Sequence, residues 1–209
     1  MSRLQLGVLA SGRGSNFQAI LDHINQGKLD ASVQVVVSNR SSAGVLEIAR
    51  NHGIAAMFVS AKQYPDPEQY DQQLLNIFEQ HQVNFIVLAG YLKLLSPLLV
   101  QKFRNRILNI HPALLPAFGG KGMYGIHVHE AVLNYGCKIS GVTVHLVDEN
   151  YDTGPPVLQR CVPVEEDDTP ETLAARVLKV EHEIYSEALQ LFAQDRIEIV
   201  GRRVKIKPA

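Results

Sequence analysis

An asparagine and a histidine, spaced two positions apart, are the residues of this sequence best suited to chemistry. Asn109 and His111 lie at the end of an apolar strand predicted at residues 106–110, and the rigid Pro112 follows them. Side chains two apart in a strand point the same way, so both project together beyond its carboxyl end. An amide can donate to a developing oxyanion, and an imidazole can move a proton. The pair therefore predicts a catalytic site, with a purely structural histidine as the alternative.

A glycine-rich loop, residues 11–16, predicts a phosphate site. It follows the first predicted strand and opens the first predicted helix, with Gly12 and Gly14 on either side of Arg13. Glycines allow a ligand to approach the backbone closely, and the free N–H groups at a helix start favour an anion. The loop lacks the Lys-Ser/Thr of a Walker motif and the third glycine of a dinucleotide fingerprint. A plain tight turn is the alternative.

An acidic turn follows a predicted strand in the second half of the chain. Thr143 and His145 share one face of that strand, and Asp148, Glu149 and Asp152 follow in the turn. A carboxylate in a turn can orient an imidazole supplied from elsewhere and stabilise its charge. Equally, the Asp-Thr-Gly-Pro sequence that ends this segment can simply build the turn. Spacing alone leaves both alternatives open.

Other motifs have simpler interpretations. His127 and His129 are spaced like a metal pair, but no matched carboxylate or cysteine accompanies them, so no metal site is predicted. The basic tail around Arg202 and Arg203 is interpreted as a solvated edge strand. The two cysteines form no metal-ligand spacing and are predicted to be reduced.

The elements that must position these residues alternate regularly in the first half of the chain. Predicted strands cover residues 4–10, 32–38, 55–59, 85–89 and 106–110, and predicted helices cover residues 16–26, 44–52 and 67–81. The strands are continuous apolar runs, which indicates a parallel sheet covered by helices on both faces. Such sheets bind ligands beyond the carboxyl ends of their strands, where the motifs above are expected.

The second half follows a different pattern. Strands at residues 140–146 and 157–164 are joined by the acidic turn, a long helix covers residues 171–193, and residues 197–200 and 204–206 are expected to pair. The sequence therefore predicts an α/β fold with an open, mostly parallel, doubly wound, Rossmann-like sheet, an antiparallel C-terminal part and a long helix. No internal repeat or low-complexity linker divides the chain, so a single domain is predicted.

The composition is that of an ordinary globular protein. Of 209 residues, 46% are hydrophobic and 20% are charged, and the formal net charge is -1. This balance argues against a nucleic-acid surface as the main function. The amino terminus lacks the layout of a signal peptide, and no apolar stretch is long enough to span a membrane. We therefore expect a cytoplasmic protein without nucleic-acid or membrane partners.

Four motifs together resemble a known family. They are Gly-Arg-Gly-Ser-Asn at residues 12–16, Gly-Tyr-Leu-Lys-Leu-Leu-Ser-Pro at 90–97, Asn-Ile-His-Pro-Ala-Leu-Leu-Pro at 109–116 and the segment at 141–154. The third is specific for the folate formyltransferase and hydrolase superfamily. The first, with the short chain, resembles the glycinamide ribonucleotide (GAR) formyltransferase family, and the resemblance covers nearly the whole chain.

The resemblance implies a set of site residues. The catalytic trio would be Asn109, His111 and Asp152. The GAR site would comprise Gly12, Arg13, Gly14, Ser15, Asn16, Gly90, Pro112 and Glu181, with the phosphate on the loop and the ribose on the glutamate. The folate cleft would comprise Leu92, Lys93, Leu94, Leu95, Val100, Val147, Asp148, Glu149 and Tyr151. Residues 1–209 would form one formyltransferase domain, with a GAR phosphate-binding half at 1–100 and a catalytic and folate-binding half at 101–209.

Three positions depart from the commonest pattern of this family. Arg13 stands where related loops often have Asn or Thr, and Leu146 stands where an aromatic residue is usual. Leu178, one helical turn before Glu181, stands where relatives often have a polar residue, so a second ribose or phosphate contact from this helix is not expected. The glycine-rich segment 118–125 is expected to be a mobile loop near the substrate.

The resemblance also implies a reaction. The formyl group of 10-formyltetrahydrofolate, a cosubstrate, would pass to the amine of GAR in de novo purine synthesis. Asn109 and protonated His111 would stabilise the oxyanion, Asp152 would raise the imidazole pKa, and no metal would be needed. The partners would be these small-molecule substrates, and the protein would be a monomer or a homodimer.

Several alternatives stay open beside this one. Formyltetrahydrofolate deformylase uses similar residues with water as the nucleophile, but that family usually carries an amino-terminal regulatory domain. Methionyl-tRNA formyltransferase would need a further RNA-binding domain. A non-catalytic folate or phosphosugar-binding module is disfavoured by the intact catalytic trio. A dinucleotide-binding oxidoreductase is disfavoured by Ser-Asn-Arg at residues 38–40, where an acidic residue is usual.

Overall fold

The computed structural model describes residues 3–64 and 66–208, and its centre is one mixed sheet. The strands of this sheet are β1 (Leu4–Ala10), β2 (Ala31–Ser38), β3 (Ala55–Phe58), β4 (Phe85–Leu88), β5 (Ile107–His111), β6 (Ile139–Leu146) and β7 (Pro156–Pro163). Their order is β3-β2-β1-β4-β5-β6-β7. Strands β1 to β5 run parallel, and β6 pairs antiparallel with both β5 and β7. A separate hairpin pairs β8 (Ile197–Val200) with β9 (Arg203–Ile206). The predicted α/β fold with its antiparallel C-terminal part is confirmed.

Within the part of the chain that the structure describes, six α-helices accompany the strands. They are α1 (Ser15–Asn25), α2 (Gly44–Asn51), α3 (Pro67–Gln80), α4 (Pro97–Lys102), α5 (Ile126–Tyr135) and α6 (Pro170–Ala193), and a short 3₁₀ turn covers Ala61–Gln63. The sequence pattern does not predict α4 and α5. α4 starts with a Ser96 cap and Pro97 but is only six residues long, and α5 begins after Gly125 without a side-chain cap.

The sheet separates two hydrophobic cores. In β1, Leu6 and Val8 face the core formed with α1, α2 and α6, whereas Leu9 faces the core formed with α3 and α4. β1 therefore buries both of its faces, as β4 does, which explains the continuous apolar runs of these strands in the sequence.

The long helix α6 has a well-defined start. Thr169 accepts a hydrogen bond from the N–H of Thr172, the Thr172 hydroxyl accepts one from the N–H of Thr169, and Pro170 occupies the first helical position. The buried face of the helix, which includes Leu173 and Val177, also carries Glu181 and places it against α1. Across the described residues, no helix has both the length and the hydropathy needed to cross a membrane.

Ser11 ties together three loops at the carboxyl edge of the sheet. Its N–H donates to the carbonyl of Gly90 at 3.0 Å, and its hydroxyl donates to Oδ1 of Asn39 at 2.7 Å. The same hydroxyl accepts from the N–H of Leu92 at 3.1 Å. The loops after β1, β2 and β4 therefore keep fixed positions relative to one another.

Tyr185 on α6 joins the helix to the sheet beneath these loops. Its fully buried hydroxyl lies 2.9 Å from the carbonyl oxygens of both Leu88 and Leu108, in β4 and β5. Tyr185→Phe is expected to lower the free energy of unfolding by about 1–2 kcal/mol, because it removes these contacts and leaves the carbonyls less well satisfied. Urea unfolding measures the change. Tyr135→Phe, at an 82% exposed position, is the control, and equal midpoints for both variants would contradict the expectation.

Candidate active site

The strand β5 holds both members of the predicted catalytic pair. Its antiparallel pairing with β6 sets Asn109 opposite His145 and His111 opposite Thr143. His111 and His145 are buried, with 3% and 2% of their surfaces exposed. Asn109 and His111 line the same cavity of about 760 Å³, so the structure brings them together as the strand spacing predicts.

Asp152 joins this pair from the turn between β6 and β7. Its Oδ2 lies 3.5 Å from Nδ1 of His111, and its Oδ1 accepts a 3.4 Å hydrogen bond from Nδ2 of Asn109. Because β6 runs antiparallel to β5, the turn leaves the sheet beside the start of β5, where the N–H of Val147 donates to the carbonyl of Ile107. The three predicted catalytic residues are thus adjacent, although this turn does not follow a parallel strand.

His145 is a fourth member of the cluster, and its role is not apparent from the sequence. Its Nδ1 lies 2.8 Å from the carbonyl oxygen of Leu146, which can only accept, so Nδ1 carries a proton. Nε2 lies 3.0 Å from Nδ2 of Asn109 and accepts a hydrogen bond from it. This contact sets the orientation of the Asn109 amide. Only the pairing of β5 with β6 reveals it, because the two residues are 36 positions apart.

The loop after β5 contacts the other side of His111. Nε2 of His111 donates a 2.8 Å hydrogen bond to the carbonyl of Phe118, and the N–H of Gly120 donates a 2.9 Å hydrogen bond to Oδ2 of Asp152. Phe118 has a φ of 54°, a region that bulky residues rarely adopt. The glycine-rich segment 118–125 therefore lies against the catalytic cluster. An oxyanion can reach Nε2 of His111 only by replacing the Phe118 carbonyl.

Burial dominates the ionisation of His111. It lowers the pKa of this imidazole below the usual value, and Asp152 and the Phe118 carbonyl oppose that effect only in part. The carboxylate acts in the expected direction, but the resting imidazole is mostly neutral at neutral pH rather than protonated. Burial alone would raise the pKa of Asp152, yet the imidazoles of His145 and His111 and the N–H of Gly120 outweigh it and hold that pKa below its usual value.

The predicted phosphate loop lies at another side of the same cavity. Gly14 precedes the first turn of α1 with a φ of 91°, and a Cβ there would lie 2.9 Å from the Cα of Val45, so the position suits only glycine. No side chain caps this helix start, which leaves its N–H groups free for an anion. Arg13 and Asn16 line the cavity, whereas Gly12, Gly14 and Ser15 do not.

Glu181 meets the start of α1 inside this cavity. Nδ2 of Asn16 donates a 2.6 Å hydrogen bond to Oε2 of Glu181. Burial raises the pKa of Glu181, and the hydrogen bond from Asn16 opposes the rise only in part. Oδ1 of Asn16 is buried without a partner among the described residues, so it is suited to accept from a ligand hydroxyl. Leu178 lines the same cavity and offers no polar contact, in line with the expectation from the sequence.

The residues predicted to bind folate divide between the cavity and the core. Those that line the cavity are Leu92 and Tyr151, together with Gly90 and Pro112 of the predicted GAR set. Leu95 and Val100 are buried in the core against α3 and α4, and Val147 packs on that core. The ammonium of Lys93 lies 3.7 Å from the centre of the Tyr70 ring, outside the residues that line the cavity.

The remaining predicted folate residues lie at the surface. The side chain of Leu94 is 39% exposed. Asp148 accepts a 2.6 Å hydrogen bond from the Thr153 hydroxyl, and Glu149 accepts a 3.4 Å hydrogen bond from the amide of Gln101. These contacts stabilise the acidic turn, and the roles of its residues in ligand binding stay predictions.

The two histidines that are spaced like a metal pair have separate surroundings. His127 lies at the surface, 3.1 Å from the carboxylate of Glu130. His129 is 4% exposed and lines the cavity, and burial together with nearby His111 lowers its pKa. His129 is a second site residue not predicted from the sequence, because α5 itself gave no clear helical signal. Over residues 3–64 and 66–208, no three His, Cys, Asp or Glu side chains are arranged to hold a metal ion.

The profile of the formyl transferase family matches residues 4–189. The chloroplastic phosphoribosylglycinamide formyltransferase of Arabidopsis thaliana is 47% identical over 94% of this chain and 68% of its own length. The protein of that name from Escherichia coli K12 is 38% identical over 94% of this chain and 90% of its own. The crystal structure of glycinamide ribonucleotide transformylase 1 from Symbiobacterium toebii superposes with a TM-score of 0.93 at 43% identity, covering 99% of this chain and 95% of that one.

Replacing Asp152 tests the coupling inside the cluster. Asp152→Asn is expected to lower the pKa of His111 further, because the carboxylate is the main group that favours the charged imidazole. An NMR titration of the imidazole signals measures this pKa. The control is Asp148→Asn in the same turn, whose carboxylate bonds Thr153 rather than His111. A His111 pKa that stays constant or rises in Asp152→Asn would contradict the coupling.

Proposed function

Because the chain belongs to the formyl transferase family, we propose that it transfers the formyl group of 10-formyltetrahydrofolate to the amine of GAR. The products are formyl-GAR and tetrahydrofolate, and the reaction belongs to de novo purine synthesis. The observation that carries the proposal is a single cavity lined by Asn109, His111 and Asp152 and also by Asn16 and Glu181. An acyl-transfer cluster beside an anion site suits an acceptor that carries a phosphate.

The reaction is a direct acyl transfer. The amine nitrogen of GAR forms a bond to the formyl carbon, and the carbonyl oxygen becomes an oxyanion. The bond between this carbon and N10 of the folate then breaks, and the proton lost by the amine ends on N10. No other reactant is consumed. Alignment of the two substrates in one cavity supplies a large part of the rate.

Asn109 and His111 stabilise the oxyanion. Nδ2 of Asn109 is held by His145 at 3.0 Å, whereas its 3.4 Å bond to Asp152 is long and is readily exchanged for the formyl oxygen. The Nε2–H group of His111 becomes available when the formyl oxygen replaces the carbonyl of Phe118. Substrate binding therefore moves the start of the glycine-rich segment away from His111.

His111 and Asp152 move the proton. Burial lowers the pKa of His111, and because Nε2 carries the proton of the neutral imidazole, Nδ1 beside Asp152 accepts the proton of the attacking amine through water. The ionised carboxylate of Asp152 then stabilises the imidazolium. The charged form thus belongs to the reaction rather than to the resting enzyme, and it returns the proton to the leaving nitrogen.

We assign the predicted binding residues to the two substrates by their positions in the cavity. The GAR phosphate lies at the start of α1, and its ribose hydroxyls contact Glu181 and the unpartnered Oδ1 of Asn16. Gly90 and Pro112 approach the glycinamide arm, and the folate enters on the side of Leu92 and Tyr151. The division into halves at residues 1–100 and 101–209, the cytoplasmic location and the choice between monomer and homodimer stay predictions.

Product analysis tests the reaction and the role of His111 together. The purified protein is expected to release tetrahydrofolate and formyl-GAR from 10-formyltetrahydrofolate only when GAR is present. His111→Ala is expected to lower kcat by about a hundredfold or more, because an oxyanion donor and proton carrier is lost. His52→Ala, at the exposed end of α2, is the control and keeps normal turnover.

Other outcomes of that assay identify the alternatives. Tetrahydrofolate with free formate and no need for GAR would indicate a deformylase. Folate binding without turnover would indicate a binding module. Near-normal kcat in His111→Ala would refute the role of this residue while leaving the reaction itself established.

Glu181 tests the GAR site separately from the chemistry. Glu181→Ala is expected to raise KM for GAR by about tenfold, a loss of roughly 1.4 kcal/mol of binding, with little change in kcat or in KM for the folate. Because burial raises the pKa of this carboxyl, KM for GAR in the wild type is also expected to rise as the pH falls through that raised pKa. Steady-state kinetics across pH measure both effects. A rise in KM for the folate without a rise in KM for GAR would contradict the assignment of Glu181 to the GAR site.

A further inference from the structure

The C-terminal hairpin is attached to the main body of the protein by its apolar residues. Ile197 and Ile199 of β8 and Val204 of β9 pack against the larger core. Two strands alone are only marginally stable in water, so this packing is what fixes the hairpin and its turn. The interpretation of this basic segment as a solvated edge strand is therefore incomplete, because its turn has a defined position.

Arg202 reaches from the hairpin turn to the turn that carries Asp152. Its Nη2 donates a 2.7 Å hydrogen bond to the carbonyl oxygen of Thr153, the residue next to Asp152. The distance is at the short end for an N–H donor, and a charged donor strengthens such a bond. The contact joins residues 49 positions apart. It therefore links the acidic turn to an element outside the main sheet.

The acidic turn needs this kind of support. Asp152 has a φ of 56°, a left-handed conformation that is uncommon for residues with a side chain, although Asp adopts it more readily than most. Inside the turn, the Thr153 hydroxyl and the N–H of Asn150 both bond Oδ1 of Asp148, at 2.6 and 3.1 Å. These contacts shape the turn, and Gln101 and Ile107 bond its first half, whereas the bond from Arg202 holds the peptide next to Asp152 itself.

We propose that Arg202 is a positioning residue for the reaction, which holds the Thr153 peptide so that the Asp152 carboxylate stays beside His111 and Asn109. This inference rests on the catalytic role given to Asp152 under the proposed function. Without the guanidinium, the Thr153 peptide loses its bond to the hairpin, and the Asp152 carboxylate is left to its own bonds with Gly120 and Asn109. The carboxylate is then held less closely beside His111, while the GAR site between α1 and α6 is unaffected.

The charges around His111 provide a direct readout of this displacement. His111 is faced by Asp152 from the turn, His145 from β6 and His129 from α5. Asp152 is the anion among these three groups, and it alone favours the charged imidazole. When Asp152 moves away, it no longer opposes burial and the two neighbouring imidazoles, which all lower the pKa of His111. The pKa of His111 is therefore expected to fall.

Arg202→Met tests the proposal, because it keeps an apolar stem and removes the guanidinium. We expect kcat to fall about three- to tenfold, with KM for GAR within about twofold of the wild type and an unchanged Tm. Arg202→Lys can still donate to Thr153 and is expected to recover part of the loss. The control is Arg203→Met, the exposed neighbour that makes no side-chain hydrogen bond or ion pair within residues 3–64 and 66–208.

An NMR titration of His111 in Arg202→Met gives a readout that does not depend on turnover. A lower His111 pKa than in the wild type and in Arg203→Met supports the proposal. A His111 pKa in Arg202→Met equal to that of the wild type overturns the proposal, whatever the kcat. Equal losses of kcat in Arg202→Met and Arg203→Met also overturn it. Absence of GAR-dependent transfer in the wild type would refute the proposed function, but the titration would still decide the position of Asp152.

Discussion

The pairing of β5 with β6 is the constraint on which the candidate site depends. It sets Asn109 opposite His145, where the amide and the imidazole meet at 3.0 Å. A register irregularity between Val144 and His145 interrupts the pairing of β6 with β7 at the same place, and such irregularities re-aim side chains beside active sites. A slip of one residue would turn His145 to the opposite face of the sheet. The geometry of the sheet, rather than the local sequence, therefore decides which polar groups converge.

The resting cluster satisfies its own hydrogen bonds, and this has consequences for specificity. Nε2 of His111 is paired with the Phe118 carbonyl, and Asp152 is paired with the N–H of Gly120. Buried polar groups are costly when they lack partners, so a ligand displaces these contacts only if it supplies equivalent ones. Under the proposed function, a formyl oxygen would replace the Phe118 carbonyl as an acceptor, whereas a ligand without a carbonyl at that point would leave His111 unpaired. Gly120 and Gly122 adopt positive φ angles and lack the side chains that restrict backbone rotation, so the loop can move to make this exchange.

The parts of the fold that were predictable from the sequence are those that depend on local burial. Each buried parallel strand is an apolar run, and the common direction of Asn109 and His111 follows from their spacing. The role of His145 was not predictable, since it depends on which strand lies beside β5. The bond from Arg202 to Thr153 depends on where a distant hairpin packs, and no local pattern encodes that. Local periodicity thus predicted the shared direction of Asn109 and His111, and the family resemblance implied Asp152, while the groups that orient these residues required the complete topology.

The two buried carboxyl groups of the cavity show why proximity to charge matters more than burial alone. Asp152 is surrounded by imidazoles and a backbone N–H, and its pKa is lowered. Glu181 has the neutral amide of Asn16 as its partner, and burial raises its pKa. The first group therefore stays ionised and can stabilise an imidazolium as it forms. Among the residues that the structure describes, Glu181 has no cation beside it, and its ionised form accepts from the Asn16 amide and is suited to accept from ligand hydroxyls, so its binding role weakens when the carboxyl is protonated. Opposite environments thus suit one carboxyl to the chemistry and the other to recognition.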